Sequence, residues 1–403
     1  PAAADIFGDP QYRAVSFGGY RGLSRDDGPT VEQLMDDVRI LDAMGVKLLR
    51  TYNTSQFPQV ERLLAAISRV KQIDPDFEMY VMLGAWIDSK NAWTEAVWDA
   101  GNNAWVEGTG PDHTQGDVAN NTREIEAAVR LSNQYPHIVK AIAVGNEAMV
   151  HWAATYFVQP SVILKWVTYL QDLKKSEKLP KDMWITSSDD FSSWGGGGAE
   201  YHTEDLEKLY KAVDYVSMHT YPYHNTHYNP EFWIIEDNEE LSDTEKIDAG
   251  MIRAQAFAQK QYDSVAGYMK SIGVNKPIHI GETGWATVSK PGDFYSAAGS
   301  RATDEYKSGL YYRLMREWTN EAGISCFYFE GFNEPWKDSK NPLGSENHFG
   351  LFTKEGQAKY ALWEMVDSGI FEGLTRNGNQ IVKTYDGQKE NLMKDVLVPP
   401  TTK

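Results

Sequence analysis

Two rhythms of apolar and polar positions alternate along this chain. Short runs rich in Val, Ile, Leu, Met, Tyr and Phe are each followed by a longer stretch whose apolar residues recur every three or four positions. The first rhythm predicts buried strands and the second amphipathic helices. The strand-like runs are YRAVSFGGY from Tyr12, VKLLRTYN from Val46, EMYVMLGAWI from Glu78, IVKAIAVGNE from Ile138, MWITSSDD from Met183, VDYVSMHTYP from Val213, PIHIGETGW from Pro277 and ISCFYFEGF from Ile324. Helical patterns start near Thr30, Val60, Thr122, Val162, Leu206, Met251, Tyr306 and Gln357, one behind each strand. In the first of them Thr30 and Gln33 form a capping box, Val31, Leu34, Met35, Val38 and Leu41 share a face, and Gly45 stops the helix.

Eight strand–helix units predict an α/β chain folded as a closed (β/α)8 TIM barrel, rather than an open doubly wound sheet. The open sheet would carry a Gly-rich phosphate loop after its first strand, and GGYRGLSRDDG lacks the GxGxxG spacing. With no internal repeat and no linker, the reading is one catalytic domain over residues 1–403, its core about 12–366 and a C-terminal extension 367–403. Gly195 to Gly198, in SSWGGGGAE, read as a mobile loop.

Composition narrows the partners. The formal net charge of −18 repels polyanions, which excludes nucleic acid and anionic membrane surfaces and leaves a neutral substrate unaffected. The single cysteine, Cys326 in ISCFYF, excludes an internal disulfide and reads as a small core residue. No apolar run approaches the ~18 residues that a membrane-spanning helix needs. Pro1 stands where an initiator Met or a basic, apolar leader would, the pattern expected of a mature chain.

Barrels of this class carry chemistry at the C-terminal ends of their strands. There the apolar runs break into polar residues. Strand two ends in Arg50-Thr51-Tyr52-Asn53 and strand four in Asn146-Glu147. Strand six ends in His219-Thr220-Tyr221-Pro222-Tyr223, strand seven in Glu282-Thr283-Gly284-Trp285, and strand eight in Glu330 ahead of Asn333-Glu334-Pro335-Trp336-Lys337. Glu147 and Glu282 among aromatic residues suit glycosidic bond cleavage, in which one carboxylic acid protonates the departing oxygen and a second carboxylate attacks or stabilises the anomeric carbon. Asn146 suits a donor to a sugar hydroxyl, and Trp285 offers a flat face to a sugar ring.

At these residues the chain resembles glycoside hydrolase family 17, the β-1,3-glucanases, in its bacterial or fungal-like branch. Val144-Gly145-Asn146-Glu147 matches the family's VGNE, Glu282-Thr283-Gly284-Trp285 its ETGW, and Phe332-Asn333-Glu334-Pro335-Trp336-Lys337 its strand-eight motif. Arg50-Thr51-Tyr52 and Tyr221-Pro222-Tyr223 look like its R-x-Y and YPY. The resemblance implies a retaining hydrolase of β-1,3-glucan such as laminarin, with catalytic glutamates ending strands four and seven, Glu147 as acid/base and Glu282 as nucleophile. It implies a substrate site built from Tyr52, Asn53, Asn146, Tyr221, Trp285, Glu330, Asn333, Glu334, Trp336 and Lys337, with no cofactor and no metal. A monomer exported to the envelope, periplasm or medium would go with such a polymer. Gly281 where Ser is common, Ala286 where Pro is usual, and a long loop after strand three depart from the pattern.

That loop carries Trp93, Trp98 and Trp105, which read equally as a cleft wall and as the loop's own core. His202, His219, His224 and His227 match no zinc spacing. Asp189-Asp190 and the run Glu236 to Glu245 read as solvated acidic loops. Three rivals remain in view: a carbohydrate-binding scaffold, a hydrolase of another neutral glycan such as β-1,4-mannan or mixed-linkage glucan, and a β-1,3-glucan transglycosylase.

Overall fold

A computed structural model describes residues 1–236 and 240–402. Its centre is a closed barrel of parallel strands: β1 Arg13–Ser16, β2 Val46–Arg50, β3 Tyr80–Ala85, β4 Val139–Asn146, β5 Trp184–Asp190, β6 Val216–His219, β7 Ile278–Thr283 and β8 Cys326–Tyr328. The ring closes where β1 meets β8, with Ala14 opposite Phe327 and Val15 opposite Tyr328. Helices α1 Val31–Ala43, α2 Gln59–Ile73, α3 Val118–Gln134, α4 Pro160–Lys175, α5 Glu204–Ala212, α6 Asp243–Ser271 and α7 Glu305–Ala322 surround it. The expected capping box opens α1: Thr30 Oγ1 accepts from Gln33 N–H at 3.1 Å, and Gln33 Oε1 accepts from Thr30 N–H at 3.0 Å. Gly45 then takes the left-handed φ of +85° that ends the helix.

Two apolar layers result. The larger one lies between strands and helices, where Leu49, Val81, Ile142, Ile185 and Ile280 meet Leu41, Leu64, Leu131 and Ile163, all fully buried. The smaller one fills the lower barrel with Leu48, Met82, Ala141, Tyr215 and Phe327. A short helix ahead of β1, Ala3–Ile6, plugs that end: Ala3 and Ile6 are fully buried, and the Phe7 ring packs 4.8 Å from Tyr215 and 5.2 Å from Trp184. Two apolar positions in four residues are too few to show a period, so the sequence pattern missed this plug.

Several expectations need correction. Only half of the quartet Gly195 to Gly198 lies in a loop: Ser192–Gly196 forms a helical turn in which Trp194 is fully buried and its indole donates to Ser217 O at 2.9 Å, while Gly197 and Gly198 are exposed. The helix expected from Gln357 is helical only from Tyr360, as a 3-10 turn running into Trp363–Asp367. Of the run Glu236 to Glu245, residues 237–239 lie outside the described set, while Ser242 and Glu245 cap α6 reciprocally instead of forming a solvated loop. The C-terminal stretch packs on the barrel, where Arg376 of the hairpin Thr375–Gln380 pairs with Asp37 of α1 at 2.9 Å, both side chains fully buried.

Candidate active site

The strand ends converge on an open cleft of about 990 Å³, lined by Glu147, Asp190, Tyr221, Glu282, Phe329 and Phe349 among others. On one side β4 leaves the sheet through Gly145 at φ +82°, where an added Cβ would lie 2.8 Å from Ala148 Cβ. Glu147 itself adopts φ +45°, a left-handed conformation uncommon outside glycine and concentrated at functional sites. Its backbone N–H donates to Ser188 O of β5 at 2.9 Å, so the neighbouring strand holds this turn. On the other side Glu282 is gripped from two directions. Arg50 donates to Oε2 at 2.8 Å and Tyr221 donates to Oε1 at 2.5 Å.

His219 sits between the two carboxylates. Its Nδ1 lies 3.7 Å from Glu147 and 3.8 Å from Glu282, and Nδ1 has no hydrogen-bond partner. The other ring nitrogen meets Ser188 Oγ at 2.7 Å, which in turn meets Ser217 Oγ at 2.7 Å. Gly281 makes room for this chain of hydroxyls, because a Cβ there would fall 2.2 Å from Ser217 Oγ and 2.4 Å from Ser188 Oγ. The departure from Ser at that position thus has a steric cause.

Their surroundings drive the two glutamates apart. Burial, then the charge of Glu282, pushes the Glu147 carboxyl up to about 8. Among the described residues none donates a hydrogen bond to its carboxyl, and its side chain keeps 22% of its surface exposed. Burial would raise Glu282 too, yet the charges of His219, where it is protonated, and of Arg50, with the Tyr221 hydroxyl, hold it below the usual carboxylate value. Burial also takes the His219 imidazole down to about 4, so that ring is neutral at neutral pH and Arg50 is the cation that counts. At pH 7 one carboxyl is protonated and its neighbour ionised.

Other expected site residues fall into three groups. Asn146 joins the pair: its Oδ1 accepts from Arg50 at 2.5 Å, which leaves the amide nitrogen to donate outward. Tyr52 backs the site from below, donating to Ser16 Oγ at 2.9 Å with the Arg50 guanidinium 4.4 Å over its ring, and Asn53 is buried beside it with an unpartnered Oδ1. Glu330, Glu334, Trp336 and Lys337 form a second charged cluster. Lys337 Nζ meets Glu330 at 2.8 Å, and the Trp336 indole donates to Glu334 at 2.8 Å. Burial and the neighbouring Glu334 raise Glu330 well above the carboxylate range, whereas Lys337, acting against burial, holds Glu334 low. Lys337 Nζ also stands 3.8 Å from the centre of the Phe329 ring in the cleft wall.

The third group, Trp285 and Asn333, turns away from the cleft. Trp285 offers no face to a sugar: it is fully buried, donates to Ala302 O at 2.7 Å and packs on Tyr223 and Tyr311. Asn333 commits its carbonyl oxygen to Gly350 N–H at 2.9 Å and Lys359 Nζ at 2.8 Å, as a strut under the strand-eight motif. Asp189 and Asp190 are buried rather than solvated. Asp189 Oδ2 accepts from Met149 N–H at 2.7 Å just beyond Glu147, and Asp190 reaches the cleft. Their position at the end of a barrel strand is the one sequence feature that sets them apart from a surface acidic pair. Trp152, Tyr228, Phe294 and Glu346 are also in the cleft wall; Trp152 and Phe294 come from loops, Tyr228 ends the short helix Pro222–Tyr228 and Glu346 sits in the 3-10 turn Ser345–Asn347, segments too short to show a period.

Among the described residues, no group of three or more His, Cys, Asp and Glu side chains is placed to hold a metal ion. Burial pushes the Cys326 thiol up to about 12, away from nucleophilic use.

A protonated and an ionised glutamate facing each other across the mouth of a barrel are the working parts of a glycoside hydrolase. Comparison with known proteins turns that class into a family: the chain belongs to the BtgE/BtgC glycoside hydrolase domain family, whose model matches residues 99–350. It is 56% identical to an endo-laminarinase from Formosa Hel1_33_131, whose crystal structure superposes with a TM-score of 0.94 over 100% of this chain and 98% of that one. A glycoside hydrolase family 17 β-1,3-glucanosyltransferase from Rhizomucor miehei shares the fold at 17% identity, with a TM-score of 0.58 over 87% of this chain and 96% of that one. A glucan 1,3-beta-glucosidase of Arthroderma benhamiae is 32% identical over 111 residues, 25% of this chain, and the match spans 34% of that protein's length.

Proposed function

We propose that this protein is a retaining, endo-acting β-1,3-glucanase that cuts laminarin-type glucan by double displacement. The observation that carries the mechanism is the convergence of Glu147 and Glu282 on one buried imidazole, 3.7 and 3.8 Å from its Nδ1, in surroundings that push the first carboxyl up and the second down. Substrate and endo action follow from the likeness to the Formosa endo-laminarinase over the whole chain, and an open cleft suits a polymer that enters sideways. In the first step a Glu282 oxygen attacks the anomeric carbon while Glu147 gives its proton to the departing glycosidic oxygen, which leaves a glycosyl ester on Glu282 and an ionised Glu147. In the second step Glu147 takes a proton from water, the water oxygen attacks the same carbon, and Glu282 departs as carboxylate with configuration retained. Arg50 and Tyr221 stabilise that carboxylate in both resting and departing states, and Asn146 Nδ2 is free to hold a sugar hydroxyl.

A glucan of this kind lies outside the cell, so the enzyme acts as an exported protein. No helix among the described residues is long and apolar enough to cross a membrane. Reducing-end release from laminarin, set beside mannan and cellulose, tests the substrate assignment. Laminarin should be cleaved into a ladder of oligosaccharides, and activity on mannan or cellulose with none on laminarin would reject it.

A further inference from the structure

The loop between β3 and α3 folds on itself. Ser89–Lys90 pairs antiparallel with Asp112–Gly116, and within that clasp Trp98–Asp99 pairs with Ala104–Trp105. Its outer surface reverses the usual order, for Trp93, Trp98 and Trp105 are 60%, 48% and 64% exposed, with Val97 and Val106 exposed beside them. Contiguous exposed apolar surface on a folded chain marks an interaction site. The loop is moored to the segment that follows Glu147: Trp93 N–H donates to Thr155 O at 2.7 Å and Ser89 N–H to Tyr156 O at 3.1 Å.

From this mooring aromatic rings run toward the barrel mouth. Trp93 stacks on Tyr156 with centroids 5.0 Å apart and planes at 29°, and Tyr156 packs on Trp86 at 5.3 Å. Trp86 directly follows β3, and both indoles are aimed by Asp88, which accepts from Trp86 Nε1 at 2.7 Å and from Trp93 Nε1 at 3.4 Å. Tyr156 is near enough to Glu147 and Glu282 for their charges to oppose its ionisation. The row thus rests on the segments that leave β3 and β4 at the mouth of the barrel, through Trp86 and Tyr156.

We infer that this loop is a glucan-holding platform, on which Trp93, Trp98 and Trp105 bind a stretch of β-1,3-glucan outside the cleft; the inference rests on the substrate proposed above. Aromatic faces take up the C–H faces of sugar rings, and a neutral polymer meets no opposition from a net charge of −18. Trp98 and Trp105 stand edge to face, 5.0 Å apart at 74°, so their free surfaces are not coplanar. That shape fits a chain that turns at each β-1,3 link and mismatches a flat β-1,4 ribbon.

The test is binding of laminarin and of laminaritriose to a Glu282→Gln parent and to the same protein carrying Trp98→Ala and Trp105→Ala, with melting curves to show that both are folded. Laminarin affinity should fall about tenfold, equivalent to about 1.4 kcal/mol, while trisaccharide affinity changes less than about twofold. Equal losses for both ligands, or no loss for the polymer, would overturn the platform. So would a parent dimer that the substitutions convert to a monomer with laminarin affinity intact, since the patch would then be a self-association surface. A parent that binds neither glucan would instead overturn the substrate proposal, and this inference with it.

Discussion

The two ends of the barrel bury very different things. At the lower end Ala3, Ile6, Phe7, Leu48, Met82 and Phe327 make an apolar plug. At the upper end Arg50, His219, Glu282, Glu330 and Glu334 are nearly as inaccessible, and all are ionisable. Apolar burial stabilises at roughly 25 cal/mol per Å² and asks nothing of geometry. Buried charge costs several kcal/mol per ion unless partners are well placed, so its presence signals a task other than stability. The same strands serve both ends, which teaches that stability and chemistry are divided along the barrel axis.

The contrast can be broken most severely at Glu282, the proposed nucleophile. Glu282→Gln should lower kcat/KM on laminarin at least about 10⁴-fold with the fold retained, measured by reducing-end release beside a melting curve. Glu147→Gln should cost about 10²–10⁴-fold on glucan and much less on a substrate whose leaving group needs no proton. The lower end should behave in the opposite sense. Phe7→Ala should lose about 3–5 kcal/mol of stability while the kcat of the folded fraction holds, and an equal fall in both would mean that the two ends are not separable.

Subtler is the pH profile. Glu282 must be ionised and is held below the ordinary carboxylate range, so the acid limb of kcat/KM belongs below about 4.5. Glu147 must be protonated and titrates near about 8, so activity falls as pH rises through that value. Arg50→Gln removes the cation beside Glu282 and should move the acid limb to higher pH, with the alkaline limb much less affected. The smallest effect belongs to Tyr52→Phe, which deletes one hydrogen bond to Ser16 and should cost about 0.5–1.5 kcal/mol of stability.

How much of this was legible in the sequence follows the same division. Strand interiors betray themselves by composition and strand ends by sudden polarity, so the barrel is legible in its eight strand–helix units and the place of Glu147 and Glu282 at its mouth in VGNE and ETGW. Direction was not. Trp285 follows strand β7 as a sugar-facing residue would, yet its indole is fully buried, donates to Ala302 O and packs on Tyr223 and Tyr311, partners remote in the sequence. Asp189 and Asp190 looked like a solvated acidic pair because nothing local shows that Met149 N–H and the Ser192 hydroxyl would come to meet them. Arg50 is visible in the sequence as a motif residue; its pairing with Glu282 joins residues 232 positions apart.

The central claim, that Glu282 is the nucleophile and Glu147 the acid/base, is tested most directly by the anomer formed on azide rescue. With Glu282→Ala and a β-glucosyl fluoride donor, azide occupies the vacated space and should give the α-azide by a single displacement. With Glu147→Ala the ester on Glu282 still forms, and azide attacking it should give the β-azide. One proton coupling constant per product distinguishes them. The α-azide from Glu282→Ala with the β-azide from Glu147→Ala is the result the structure predicts, and the reverse pairing would contradict the assignment.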